Sequence, residues 1–525
     1  MRRISLASKK ILNVNMAPFW GLRGSRLHFA IWVEACFCVM IFGYNQSSAG
    51  GVLSDSTFNL QFPRMNTLST TGSLQKENSR IQGTVVALYT LFGVFGALGC
   101  TFLGDILGRR KTIFLASAVQ GVGAIIQCSS FAFAQFIVGR IVLGLGTGGI
   151  IATVSVWQSE VSKAENRGEH VSAFGIFCGS GIALALWVAF GMSYTQPSSV
   201  SWRFTLAFTL FLSFLVCISI FSLPESPRWL CKQDRWEEAR ETLGLLYDEN
   251  QSSETVNKEI EDIQISLDRA NKGSLGAMFK MGPQRVFHRV VIAAVAQIFL
   301  QMTGVNSITY YAPTIYQQQL HFGQTDSGLL AASSQLVLVL GAFCCAWTVD
   351  RFGRRKLMIF SASSMSICFA LIAGLTSQPD NPAALKAAVV FLYLYFFVYV
   401  LGFLGIPFLY ASEIAPTHLR AATCGLSTAV SWLFNFLVAE VTPSAFDDIG
   451  WKYFIVYCCL NASFVPVIYF FFPETAKRSL EEIDEIFEAS TSIFDTVSVA
   501  QKLPRRHLAE FLREEKATEV SHIEA

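Results

Sequence analysis

The feature that most constrains this chain is a rhythm of twelve apolar runs, interrupted once by a long polar interval. A bilayer's hydrocarbon core is about 30 Å thick, and a helix crosses it in about 20 residues. Runs of that length fall near 28–46, 82–103, 112–132, 135–157, 171–193 and 203–223. They resume near 290–314, 328–349, 357–377, 387–411, 421–441 and 451–472. In lipid a segment must satisfy its own backbone polar groups, and runs this long do so as helices. The chain therefore reads as an all-α membrane protein with twelve transmembrane helices in two six-helix halves. Composition agrees: charged residues make up 15% of the chain, where a soluble domain carries about 25%. That scarcity excludes a cytosolic enzyme, a disordered scaffold and a nucleic-acid binder. The net charge of +2 excludes nothing.

Three polar segments surround the halves, which span 28–223 and 290–472. Residues 1–27 carry Arg2, Arg3, Lys9, Lys10, Arg23 and Arg26 and no acid. No small-residue cleavage site follows the first run, so it reads as a retained span rather than a signal peptide. Residues 224–289 form an insert with charges at helical spacing, as in DRWEEARETLGLLYDE, and 473–525 form a polar, helix-like tail. Lys and Arg collect after spans two, four and eight, which by the positive-inside bias places both termini, the insert and the tail in the cytoplasm. The membrane is read as the plasma membrane. Twelve of the thirteen cysteines sit inside apolar runs and no CxxC pair occurs, so they read as buried thiols rather than bridges or metal ligands.

Self-comparison shows the halves to be copies. GDILGRR at 104–110 recurs as VDRFGRR at 349–355. Glu160 with Arg167 recurs as Glu413 with Arg420, and Pro224-Glu225-Ser226 as Pro473-Glu474-Thr475. All three share an offset of roughly 250 residues and the same place relative to the spans. Two parallel halves with a pathway between them form a carrier architecture, with the solute held near the midplane. Topology needs basic residues but no acids. We therefore read Asp105, Arg109, Glu160, Arg167, Glu225 and Arg228, with Asp350, Arg354, Glu413, Arg420 and Glu474, as ion pairs that close one face and separate when it opens. Arg140 is read with them, near the inner end of the fourth span.

Arg140 in VGRIVLGLGTGG, the two GRR motifs, PESPRWL, QMTGVNSITYYAP and PETAKRSLEE together resemble the sugar porter family of the major facilitator superfamily, from Gly43 to Glu482. TVSVWQSEVSKAENRG and STAVSWLFNF are most similar to a fungal branch of sugar and polyol carriers, glycerol–proton symporters among them. The resemblance implies the major facilitator fold with a cytoplasmic helical insert, alternating access, and closure by the duplicated ion pairs. It also implies solute contacts for Gln297, Gln301, Asn306, Tyr310, Trp432 and Asn435. Those residues suit the task on their own chemistry. Gln297 and Gln301 share a helical face, and so do Asn306 and Tyr310 beyond Gly304. Amides donate and accept at once, as each hydroxyl of a polyol does. Gly304 and Pro313 weaken the helix, which is tolerated at membrane depth where backbone lines a cavity. Tyr311 reads equally as a closing or a packing residue. GLGTGG at 144–149 lies within an apolar span and reads as helix packing, not a dinucleotide loop.

Set against many hexose carriers, six positions depart from the resembled pattern toward smaller or more apolar residues: Gly175, Leu300, Leu338, Val400, Phe408 and Ser431. A buried unpaired hydroxyl costs about 1–3 kcal/mol, so a solute less hydroxylated than glucose is expected. Proton-driven relatives often carry Asp after FGY in the first span, whereas here Phe42-Gly43-Tyr44 leads to Asn45. Asparagine cannot titrate, and FGYN also occurs in facilitative animal glucose carriers, so the coupling position points to facilitated diffusion. Glu34 lies three turns earlier on the same face. An acid within a span is a functional candidate by default, but its place near the inner end points to a solvated carboxylate.

The sequence thus describes a carrier, not an enzyme, that moves a monosaccharide or polyol. It is expected to work as a monomeric transport unit in a lipid bilayer, with no cofactor, metal or nucleic-acid partner. The alternatives are a sugar or glycerol proton symporter, a non-transporting nutrient sensor and a metabolite exporter.

Overall fold

The computed structural model describes residues 21–161, 167–270, 275–416, 419–478 and 480–504. Among them, twelve helical segments are long and apolar enough to cross a membrane. The first half comprises α1 (Gly24–Leu53), the short α2 (Ser56–Gln61), α3 (Gly72–Leu107), α4 (Arg109–Cys128), α5 (Phe133–Val161), α6 (Arg167–Ser193) and α7 (Val200–Ser219). The insert holds α8 (Pro227–Lys232), α9 (Trp236–Tyr247) and α10 (Glu254–Ala270). In the second half the seventh span is a pair, α11 (Val286–Met302) and α12 (Val305–Gln318), followed by α13 (Gln324–Phe352) and α14 (Arg354–Thr376). The tenth span is α15 (Pro382–Tyr399), a π-helix over Val400–Leu404, and α16 (Ile406–Ile414). Then come α17 (Arg420–Ile449), α18 (Lys452–Phe471) and the tail helices α19 (Leu480–Ala489) and α20 (Thr496–Lys502).

Helix ends differ most from expectation on one face. The first span continues to Leu53 and the second begins at Gly72, where hydropathy had marked a loop. The reason is burial: Gln46, Ser47 and Ser48 are enclosed by protein, so the helix carries polar residues there without showing them to lipid. Large apolar side chains such as Phe102, Phe131, Phe214 and Trp347 are instead exposed around the outside. A water-soluble surface would not carry so wide an apolar belt. All thirteen cysteines are free thiols.

Close helix packing uses glycine. A Cβ on Gly148 of α5 would stand 2.0 Å from the carbonyl oxygen of Gly93 in α3, far inside van der Waals contact. GLGTGG is therefore a packing stripe. Gly148→Ala is expected to drive α3 and α5 apart and abolish the monodisperse carrier peak in size-exclusion chromatography. Gly99→Ala, whose new methyl meets nothing within 4 Å, should leave that peak unchanged.

The insert has its own small core of Trp229, Leu230, Leu243, Val256 and Ile260. Its α8 reaches the end of α3, where Lys232 Nζ lies 2.8 Å from Asp105 Oδ2. The tail docks at the start of α11: Asp484 Oδ1 is 2.6 Å from Arg289 Nη2, and the Arg289 guanidinium sits 4.9 Å from the Phe487 ring centre. Insert and tail thus share one face, called the insert face below.

Candidate solute site and its closures

Gly304 divides the seventh span because its backbone is left-handed, with φ +95°. The break sets Gln301, at the end of α11, beside Asn306, at the start of α12. Asn306 Nδ2 donates to Gln301 Oε1. Gln46 Nε2 of α1 donates to Asn306 Oδ1 at 2.6 Å, and Gln301 Nε2 donates to Ser431 Oγ of α17 at 2.8 Å. A chain of amides therefore crosses from one half into the other. Gln297, one turn along α11 from Gln301, is fully buried, yet neither atom of its amide has a partner among the described residues. Buried amides are normally paired, and among the described residues Gln297 shares this condition with Gln120 of α4.

The other expected contacts surround this centre. Tyr310 Oη donates to Asn435 Oδ1 at 3.0 Å, and Tyr311 Oη to the Ala439 carbonyl at 2.8 Å. The buried Trp432 ring meets Phe42 edge-on with centroids 5.7 Å apart. Gln46 escaped the sequence reading, and Ser431 entered it only as a position smaller than the resembled pattern has, although its hydroxyl accepts from Gln301. The polar run Asn45-Gln46-Ser47-Ser48 was visible, but a polar run ending an apolar one looks like a helix leaving the bilayer.

Asn45 ties α1 to two neighbours: its Nδ2 donates to Thr147 Oγ1 at 3.3 Å, and its Oδ1 accepts from Thr209 Oγ1 at 2.7 Å. Glu34 is not the solvated carboxylate expected. It is 7% exposed and accepts from Ser219 Oγ of α7 at 2.9 Å. Since α1 begins at Gly24, about 15 Å of helix precedes Glu34 on that side, which carries it into the bundle.

On the insert face each half builds the same cluster. Arg109 Nε lies 2.8 Å from Glu160 Oε2 and its Nη1 3.3 Å from Asp105 Oδ1. In the copy, Arg354 Nη2 lies 3.0 Å from Glu413 Oε1 and its Nη1 2.8 Å from Asp350 Oδ1. Glu225 accepts from the backbone N–H of Arg109 at 2.9 Å and of Arg110 at 3.2 Å. Glu474 does the same for Arg354 and Arg355, at 2.9 and 3.2 Å. These N–H groups open α4 and α14, so each glutamate completes a helix N-terminus. Burial pushes the Glu225 carboxyl above its usual range, and the N–H groups of Ser226, Arg109 and Arg110 pull in the other direction. Every partner in a cluster belongs to the same half or to its flanking segment.

Two assignments need correction. Arg140 is not part of these clusters. It lies twenty residues before Glu160 on α5, about 30 Å along the helix. There Nη2 donates to the Val86 carbonyl at 2.9 Å, and the guanidinium covers the Tyr89 ring at 4.9 Å. Spare lone pairs on the α3 carbonyls of Val85 and Val86 thus receive its Nε and Nη2 without an acid. Arg228 is exposed at the start of α8 and pairs with no carboxylate among the described residues; Lys232, one turn on, takes Asp105. Arg420 opens α17 and is half-buried. The side chain of Arg167, at the start of α6, lies outside the described residues.

The opposite face is tied between halves. Lys76 Nζ lies 2.7 Å from Asp448 Oδ1, and Gln75 Nε2 donates to Asp447 Oδ1 at 3.0 Å. Thr84 Oγ1 donates to Glu440 Oε1 at 2.7 Å, and Gln318 Nε2 to the Thr67 carbonyl at 3.0 Å. α1 also presses on α12, for a Cβ on Gly50 would stand 2.1 Å from the Tyr310 carbonyl oxygen.

Two duplicated helical halves, a central cluster of amides and cross-ties on one face define a membrane carrier rather than an enzyme. Residues 32–487 match the profile of the Sugar (and other) transporter family, and the chain belongs to that family, the sugar porters of the major facilitator superfamily. "Sugar transporter STL1" of Saccharomyces cerevisiae is 34% identical over 517 residues, covering 97% of this chain and 90% of its own. "MFS-type transporter oryC" of Aspergillus oryzae is 32% identical, covering 97% and 94%. Among solved structures, the proton:xylose symporter XylE of E. coli, bound to 6-bromo-6-deoxy-D-glucose, superposes with a TM-score of 0.73. At 22% identity, over 88% of this chain and 100% of that one, this likeness speaks for the fold.

Proposed function

We propose that this sugar porter is a facilitator, moving a monosaccharide or polyol down its gradient by alternating access. Its insert face lies in the cytoplasm, and the membrane is the plasma membrane. The observation that carries the reading is the unpaired amide of Gln297 next to the Gln46–Asn306–Gln301–Ser431 chain. A polyol hydroxyl both donates and accepts, so it completes Gln297 and exchanges with the neighbouring amides at little net cost. Gln297, Gln301 and Asn306 are the first contacts, with Tyr310, Asn435 and Trp432 beside them. The pairs around Arg109 and Arg354 brace each half on the cytoplasmic face. The yeast relative, named a sugar transporter, supports the solute class.

Facilitation rests on Asn45, which is uncharged and engaged by two threonine hydroxyls. Proton symport is the second reading, favoured by the buried carboxyl of Glu34. Uptake of hexoses, pentoses, glycerol and other polyols in a carrier-deficient host tests both. The expected result is uptake of at least one such solute that a protonophore leaves unchanged and that does not acidify the cell. Collapse of uptake with the protonophore, together with acidification, overturns facilitation and makes Glu34 the group to substitute.

A further inference from the structure

The break in the seventh span frees backbone that a continuous helix would pair, and two helices that lend the solute site no amide take it up. In an unbroken helix the Thr303 carbonyl would accept from the N–H of residue 307. At the Gly304 turn two side chains donate to it instead: Asn461 Nδ2 of α18 at 3.1 Å and Tyr395 Oη of α15 at 3.2 Å. All three residues are fully buried, where a bare carbonyl would find no water. Asn461 is the one amide in the apolar sequence of α18. Its Nδ2 also donates to the Tyr457 carbonyl one turn back, at 2.8 Å, so the donor end of the side chain is fixed toward the break. Non-helical backbone at membrane depth must be paired by neighbouring protein, and here α15 and α18 do it.

The same α18 grips the other side of the turn. A Cβ on Gly304 would stand 2.9 Å from the Tyr457 ring, so that ring rests directly on the break. The Tyr457 phenol bonds the hydroxyl of Ser307, the residue after Asn306. Tyr457 Oη also lies 2.8 Å from Tyr453 Oη. Thr442 Oγ1 of α17 lies 3.3 Å from Tyr453 Oη and 2.9 Å from Ser307 Oγ. Four buried hydroxyls thereby close a ring that fastens α12 to α17 and α18. Their bonds are made within the protein, so the ring serves to hold rather than to bind. Asn306 thus sits between two anchored residues, Thr303 held by Asn461 and Ser307 held by Tyr457.

We infer that Asn461, Tyr395 and Tyr457 are positioning residues for solute binding, which set the angle between α11 and α12 at which Gln301 meets Asn306. The inference rests on the reading of that amide cluster as the solute site. None of the three side chains belongs to the cluster. They act through the Thr303 carbonyl and the Ser307 hydroxyl, on either side of Asn306. Hydrogen bonds weaken steeply when their angles are lost, so a turn that drifts misplaces the Asn306 amide for a solute hydroxyl. A binding constellation depends in this way on the shell that supports it.

The test measures KM in the full-length carrier, normalised to folded protein, with the hexose, pentose, glycerol or other polyol that the wild type takes up. Asn461→Leu, which keeps the bulk and removes both donors, is expected to raise KM about tenfold. Tyr457→Phe removes one oxygen and leaves the ring against Gly304; it should raise KM in the same direction and carries the test should the leucine variant not fold. The deciding step is a double-mutant cycle with Asn306→Ala. If Asn461 and Tyr457 act by placing Asn306, each should change KM by less than about twofold once that amide is absent. The same factor in both backgrounds, or fewer folded molecules with an unchanged KM, overturns the inference and leaves the solute site standing. Wild-type uptake in Asn306→Ala alone overturns the reading of the site, and the inference with it.

Discussion

Asn306→Ala is expected to lower solute uptake by roughly 10- to 100-fold without loss of folded carrier. Asn306 accepts from Gln46 and donates to Gln301, so its removal strips one buried amide of a donor and another of an acceptor. Each buried polar group left unpaired costs about 1–3 kcal/mol, and a factor of ten corresponds to about 1.4 kcal/mol. Gln301→Ala should act similarly, because it orphans Asn306 and Ser431. Gln297→Ala is different. That amide holds no partner in this state, so its loss is felt only by the bound solute, as a raised KM with unchanged thermal unfolding. Measuring KM, maximal rate and unfolding temperature for all three separates the cases. Wild-type uptake in Asn306→Ala would remove this cluster from the transport path.

Arg354→Ala is expected to produce the largest loss of stability, about 3–5 kcal/mol. The Arg354 side chain is 7% exposed and Glu413 18%, so removing the cation strands a carboxylate with little water to solvate it. Asp350 adds little to that figure: it is 64% exposed, and such surface pairs are worth about 0–1 kcal/mol. Arg109→Ala should reproduce the effect in the first half, where Arg109 and Glu160 are 12% and 9% exposed. Arg228→Ala, at an exposed position without an acid partner, serves as the near-neutral control. Thermal unfolding in detergent reads all three, and Glu413→Gln in the Arg354→Ala background should recover part of the loss. A stable Arg354→Ala carrier would reduce the duplicated motifs to topology signals.

The spans and the duplicated clusters were legible because their cause is one-dimensional. Lipid requires a long apolar run, and GDILGRR and VDRFGRR stand side by side on self-comparison. Gln301 and Asn306 were legible from their spacing about Gly304. Gln46 was not, because its burial depends on α12 of the other half, and nothing local distinguishes a polar residue facing protein from one facing water. Arg140 was misplaced for a related reason. An arginine within an apolar span suggests an ion pair, and only the packing of α3 against α5 shows that carbonyl oxygens receive it.

The left-handed residue at Gly304 has one more consequence. It splits a span of 33 residues into two short rods, and the second, α12, forms part of the cover over the amide cluster through Gln46 and Gly50. Such a rod can tilt on its hinge while the rest of the wall keeps its seal. Under the alternating access proposed above, the passage would then work as an airlock, in which one door stirs without breaking the frame.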